Sequence, residues 1–124
     1  MNRQTTILFR PVGQKELDLI VQSDYSSFPP RLEAQPFFYP VLNLEYAIQI
    51  ARDWNTRDAA SDFVGYVTRF RVFTDYLDGY DIQIVGAASV HREYWIPAEE
   101  LPEFNRNIAA KIEVIARFEG TSGG

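Results

Sequence analysis

The run from Phe63 to Phe73, FVGYVTRFRVF, most constrains the fold of this chain. Val64, Tyr66, Thr68, Phe70 and Val72 alternate with Gly65, Val67, Arg69, Arg71 and Phe73, and β-branched and aromatic residues dominate both sets. A strand of that length needs partners on its edges and cover on its faces. Shorter runs flank it. Thr6 to Arg10 (TILFR) reads as an opening strand that Pro11 ends by removing a backbone donor. Pro36 to Val41 (PFFYPV) reads as a second strand, confined to an edge or cut short by Pro40. Tyr80 to Val85, His91 to Pro97 (HREYWIP) and Lys111 to Phe118 complete a set of about six.

Two stretches carry helical spacing instead. After a turn at Gly13, Gln14 to Gln22 places Leu17, Ile20 and Val21 on one side. Asn43 is a good N-cap for Leu44 to Trp54, where Ala47, Ile50, Ala51 and Trp54 form the stripe of a helix lying on a sheet. Thr74 can cap a turn through Asp78 that Gly79 ends, and Pro97 suits the start of a short helix reaching Glu103. Ser23 to Gln35, Asn55 to Asp62 and Gly86 to Val90 read as loops, the first stiffened by Pro29-Pro30. The order is not the repeating strand–helix alternation of a doubly wound sheet. It predicts an α+β domain over 1–118: a split or strongly bent, mainly antiparallel sheet with two main helices, then a disordered tail over 119–124.

Composition narrows what such a domain can do. A net charge of −5 argues against sequence-blind nucleic-acid binding, yet ten of the twelve basic residues are arginine, the side chain that forks onto phosphates and carboxylates. The absence of cysteine excludes disulfides and thiolate metal sites, and a single histidine argues against zinc. MNRQTTILF has too short an apolar run for a leader or a spanning helix, so the expectation is a soluble, cytoplasmic protein with no membrane partner. The aromatic fraction of 15% exceeds what a lean core needs and points to a groove or a protein-binding surface.

There is no glycine-rich phosphate loop, serine elbow or paired-histidine motif. Chemistry falls instead to strand-borne groups. Arg10 closes the first strand and suits a diphosphate. Tyr39 lies in the second and offers a flat face and a hydroxyl. Glu93 lies in HREYWIP on the face it shares with Trp95 and with His91, the one histidine. A carboxylate there can accept from a sugar hydroxyl and stabilise an adjacent developing cation. Together they fit a nucleotide whose bond from ribose to a leaving base is to be broken. Each also has a plainer reading. Arg10 can be a solvated charge or surface ion pair, and Tyr39 a core residue. Glu93 can be a partner of Arg92, Arg69 or Arg71, and His91 a surface residue. Trp54 and Trp95 read as core anchors rather than a binding cage.

The segments FRPVGQKEL, FPPRLEAQPFFYPVLNLEYAIQIARDWN, GYVTRF and EYWIPAEELPEFN resemble the small bacterial family labelled ADP-ribosylation/crystallin, over roughly Leu8 to Phe118. The element order is also similar to a minimal ADP-ribosyltransferase-like fold. That resemblance implies NAD as substrate, with Arg10 at the first-strand position, Tyr39 at the second-strand position and Glu93 as the acid that holds the nicotinamide ribose. His91 stands where many arginine-type members carry a second Glu or Gln, and becomes a candidate for orienting ribose or acceptor. The second strand lacks the Ser-Thr-Ser of those enzymes. The alternative function is a non-catalytic module on the same fold that engages a protein partner.

Overall fold

A computed structural model describes residues 3–86 and 91–120. The long central run forms β3 (Val64–Phe73), which lies between β1 (Thr5–Val12) and β7 (Glu113–Glu119), antiparallel to both. Its pairing with β1 runs without a break from Thr5↔Phe73 to Val12↔Tyr66, whereas the β7 ladder shifts register between Val67 and Thr68. β3 starts one residue later than the sequence pattern suggests. Asp62 and Phe63 both hold left-handed backbone, φ 56° and 57°, which cannot continue a ladder.

The remaining strands are short. β2 (Phe37–Phe38) pairs with β6 (Ile96–Pro97), and β4 (Ile82–Ile84) pairs with β5 (Arg92–Tyr94). The HREYWIP strand is therefore two pieces separated at Trp95. The expected second strand is cut back because Pro40 has no N–H to give, and only Val41 beyond it rejoins a ladder. Val41 bridges Phe9 of β1 on one side and Glu93 of β5 on the other. Through it, the β1–β3–β7 sheet continues into the β5–β4 pair as one bent, antiparallel surface.

Helices cover both faces. α1 (Gln14–Gln22) buries Leu17 and Ile20 in the larger core, with Leu8, Phe70, Val72 and Leu101. Four phenylalanines fill its centre, Phe28 lying 5.0 Å from Phe38 and 4.8 Å from Phe70, and Phe38 5.2 Å from Phe104. Edge and tilted contacts of this kind add to the area they bury. Phe28 comes from the long loop. It is held by Asn105, whose side chain accepts from its N–H and donates to its C=O, both at 2.9 Å. α2 (Leu44–Asp53) covers the other face with Ala47 and Ala51 against Val67 and Val41. The expected cap is present: the Asn43 side chain accepts from the Tyr46 N–H at 3.2 Å. Two shorter helices, α3 (Thr74–Leu77) and α4 (Leu101–Arg106), complete the described set. The 55–62 loop is more regular than expected, with two 3₁₀ turns at Asn55–Arg57 and Ala59–Ser61, the second capped by Asp58.

Four further expectations need correction. β1 does not stop at Pro11: Pro11 and Val12 stay in register opposite Val67 and Tyr66, so the missing N–H is tolerated there. Trp54 closes α2 but is 70% exposed, and Trp95 is 41% exposed, so neither anchors a core. α2 ends in Arg52-Asp53 just as its stripe would turn Trp54 inward, and the buried places on that side belong to alanines. The tail does not begin at residue 119: Glu119 belongs to β7, and the Gly120 N–H donates to Phe63 O at 2.8 Å. Residues 121–124, and most of the Gly86–Val90 loop, lie outside the described residues. No helix of the described residues is long and apolar enough to cross a membrane.

The close approach of α2 to β3 depends on one missing side chain. A Cβ on Gly65 would sit 2.2 Å from the Ala51 carbonyl oxygen, a backbone atom that cannot turn aside. Gly65→Ala should therefore push α2 off the sheet and cost about 2 kcal/mol, as overpacking does in tight interiors. Chemical denaturation measures it; a stability equal to the parent chain's would show that the helix yields freely.

Candidate active site

Arg10, Tyr39 and Glu93 line one cavity of about 350 Å³, together with Tyr46, Asn55 and Val85. Strand pairing brings them there. Arg10 is near the end of β1, Tyr39 lies between β2 and the Val41 bridge, and Glu93 is the β5 residue opposite Val41. A second cavity of about 560 Å³ meets the first at Arg10, Pro11 and Asn55, and both volumes are in the range of small-molecule sites.

Glu93 is buried, at 7% exposure, and among the described residues its side-chain oxygens are held by a phenol and an indole. Oε1 accepts from the Tyr46 hydroxyl at 2.9 Å, and Oε2 accepts from the Trp95 indole N–H at 2.8 Å. Arg69, one of the expected partners, pairs with Glu113. Two neutral donors hold the Glu93 carboxylate in place without neutralising it, and each oxygen keeps a lone pair for a ligand hydroxyl. Burial, and then the bond to Glu93, push the Tyr46 phenol up to about 12, so it stays a donor through the physiological range. His91 stacks on the Tyr46 ring, centroids 4.5 Å apart and planes 21° from parallel. It stands behind Tyr46 and is not part of the cavity wall.

Arg10 is neither solvated nor in a surface pair. It is 7% exposed, and its fork is closed on Glu16, Nε to Oε2 at 2.6 Å and Nη2 to Oε1 at 3.0 Å. Its guanidinium carbon lies 4.5 Å from the centre of the Phe38 ring, and Nη1 points to the Tyr39 carbonyl at 3.5 Å. Glu16 is the acid in the first turn of α1, six residues from Arg10. Tyr39 is half-buried rather than in the core, its ring 6.4 Å from Trp95 and edge-on to it, and 6.2 Å from Phe37.

Sequence reasoning passed over five residues here. Trp95 was legible as a neighbour of Glu93, two residues along one strand face, but its indole N–H was not identified as a donor to the carboxylate. Tyr46 and Glu16 are tertiary partners from helices. Arg31 follows the two prolines of the long loop; its Nε donates to Phe37 O at 2.9 Å and it lines the larger cavity. Burial, and then the like charge of Arg10, lower its pKa from the usual guanidinium value. Asn55 lies where the cavities meet. Its Nδ2 donates to Ser61 Oγ at 2.9 Å and Ser61 Oγ donates to Asp58 at 2.9 Å, while its buried Oδ1 has no hydrogen-bond partner among the described residues. No group of three or more His, Cys, Asp or Glu side chains among the described residues could hold a metal ion.

Comparison with protein-family models, with curated proteins and with solved structures gave no match for this chain.

Proposed function

We propose that this chain is an ADP-ribosyltransferase-like α+β domain that binds NAD or a related nucleotide and transfers or hydrolyses ADP-ribose. The observation that carries the reading is the shared cavity: a guanidinium from β1, a phenol from the second-strand segment and a buried carboxylate from β5 line one hollow. In the proposed reaction the bond between ribose C1′ and the nicotinamide nitrogen breaks. Nicotinamide leaves with the bonding pair, and an oxocarbenium-like ribose remains. Glu93, held by Tyr46 and Trp95, accepts from a ribose hydroxyl and stabilises that cation through space. Water or a nucleophilic side chain of an acceptor protein then adds to C1′ and gives up a proton. Tyr39 faces the departing ring, Arg10 acts on the diphosphate from within its pair with Glu16, and His91 fixes the plane of Tyr46.

A melting scan tests binding. NAD at 100 times its dissociation constant would stabilise the folded state by about 2.7 kcal/mol, a rise on the order of 10 °C for a domain of this size. An unchanged midpoint at millimolar NAD would discard the reading. It would favour the non-catalytic protein-binding module, for which the Arg10 fork already closed on Glu16 and the half-exposed Trp95 beside Phe37 and Tyr39 are the specific support.

A further inference from the structure

The larger cavity holds more positive charge than its own residues balance. Arg10, Arg31 and Lys15 line it, against Glu16 and Asp58. Both Glu16 oxygens are taken by Arg10, and both Asp58 oxygens by the Ser61 hydroxyl and the Ala60 N–H. Arg31 consequently has no ion-pair partner among the described residues, although it is half-buried and close to a second guanidinium. Such a charge is an unfavourable thing to leave half-desolvated unless an anion answers it. Its placement is also fixed in advance, by Pro29-Pro30 behind it and by the bond from Nε to Phe37 O. At the rim of the same cavity stands Trp54, 70% exposed, a flat aromatic face that stacks on no other ring among the described residues. In a chain of net charge −5, this hollow is a local exception.

We propose that the larger cavity is a nucleoside diphosphate site, in which Arg31 and Lys15 hold a phosphate and Trp54 stacks the base. A guanidinium fork supplies paired charged hydrogen bonds to phosphate oxygens, and indole stacking tolerates any base. α1 opens on the same space at Gly13, with no side-chain cap, so the positive end of the helix adds to the field. The site deepens the reading above by locating the half of the ligand that does not react, but it stands without any chemistry at Glu93. It also moves the main phosphate contact from Arg10, whose fork is closed, to Arg31.

ADP is the probe. Titrated into the full chain at low salt, it should bind saturably, and in a Trp95→Phe background it should change the emission of Trp54. Arg31→Gln should weaken ADP about tenfold or more, Arg31→Lys by less, and adenosine should bind the parent chain correspondingly poorly. The Arg31→Gln chain without ligand loses the bond to Phe37 O together with the repulsion from Arg10, so its midpoint should stay close to the parent's. Arg31→Lys loses the same bond but keeps the charge, so better ADP binding by Arg31→Lys than by Arg31→Gln separates a ligand contact from a structural one. ADP affinity that Arg31→Gln leaves unchanged, or no ADP binding at millimolar concentration, overturns the proposal. Loss of ADP binding in Arg31→Gln, in a chain that never turns over NAD, upholds this site and removes the transferase reading. NAD turnover dependent on Glu93 but indifferent to Arg31 does the reverse.

Discussion

Glu16→Ala should destabilise the protein by about 3–5 kcal/mol, the cost of removing one partner from a buried ion pair. The Arg10 side chain is 9% exposed and that of Glu16 21%, so water cannot re-enter easily to solvate the guanidinium left behind. Arg31 makes the loss worse, because its charge would then face Arg10 with no carboxylate between them. The general attraction of an acid to a helix start accounts for only about 0.3–1 kcal/mol of this. The two contributions can be separated. Arg10→Met on top of Glu16→Ala removes the orphaned charge and leaves an apolar chain over Phe38, so it should recover most of the loss. Denaturant titration of the single and double variants reads both. A Glu16→Ala chain within 1 kcal/mol of the parent would mean that Arg10 finds water, and that its burial is less complete than the structure makes it.

On the proposed transferase reading, Glu93→Gln should lower NAD turnover by about two to three orders of magnitude, the usual effect of losing one group aimed at developing charge. Gln has the same shape, so Tyr46 can still donate to its carbonyl oxygen. The side-chain NH₂ would meet the Trp95 indole N–H, donor against donor, but Trp95 is half-exposed and can turn to water. The fold and most of the nucleotide affinity should therefore persist. Single-turnover release of nicotinamide, measured beside the melting midpoint of each chain, gives the answer. Equal rates for parent and variant would remove Glu93 from the chemistry. A variant that is slow only because it has unfolded is told apart by its midpoint.

Local chemistry carried much of the fold into the sequence. The β3 alternation, the Asn43 cap and the antiparallel α+β character all follow from side-chain period and backbone restriction, which neighbours alone express. What the sequence concealed was set by contacts between distant segments. Nothing near Pro36 indicates that Val41, past Pro40, will join β1 to β5. The left-handed pair Asp62 and Phe63 delays β3 by a residue with no glycine to announce it. The site divided in the same way. Arg10 and Glu93 were legible as strand-borne polar groups, and they share a cavity with Tyr39, which lies just past the strand expected to carry it. The exposure of Trp54 and Trp95 was not, because aromatic size argues for burial while the buried places beside α2 are sized for Ala47 and Ala51. Arg31 was hidden for a related reason: an arginine in a proline loop looks solvated until Phe37 fixes its Nε.

The bridge at Val41 has a consequence for affinity. Among the described residues two backbone hydrogen bonds, Phe9 N–H to Val41 O and Val41 N–H to Phe9 O, both 2.8 Å, tie β1 to the segment that reaches β5. Arg10 lies on one side of this narrow seam and Glu93 on the other. A molecule gripping both acts as a splint across this seam, and the free energy it spends suppressing any parting there is subtracted from its apparent affinity. Reinforcing the seam, rather than the pocket wall, would then tighten binding without touching a single contact to the ligand.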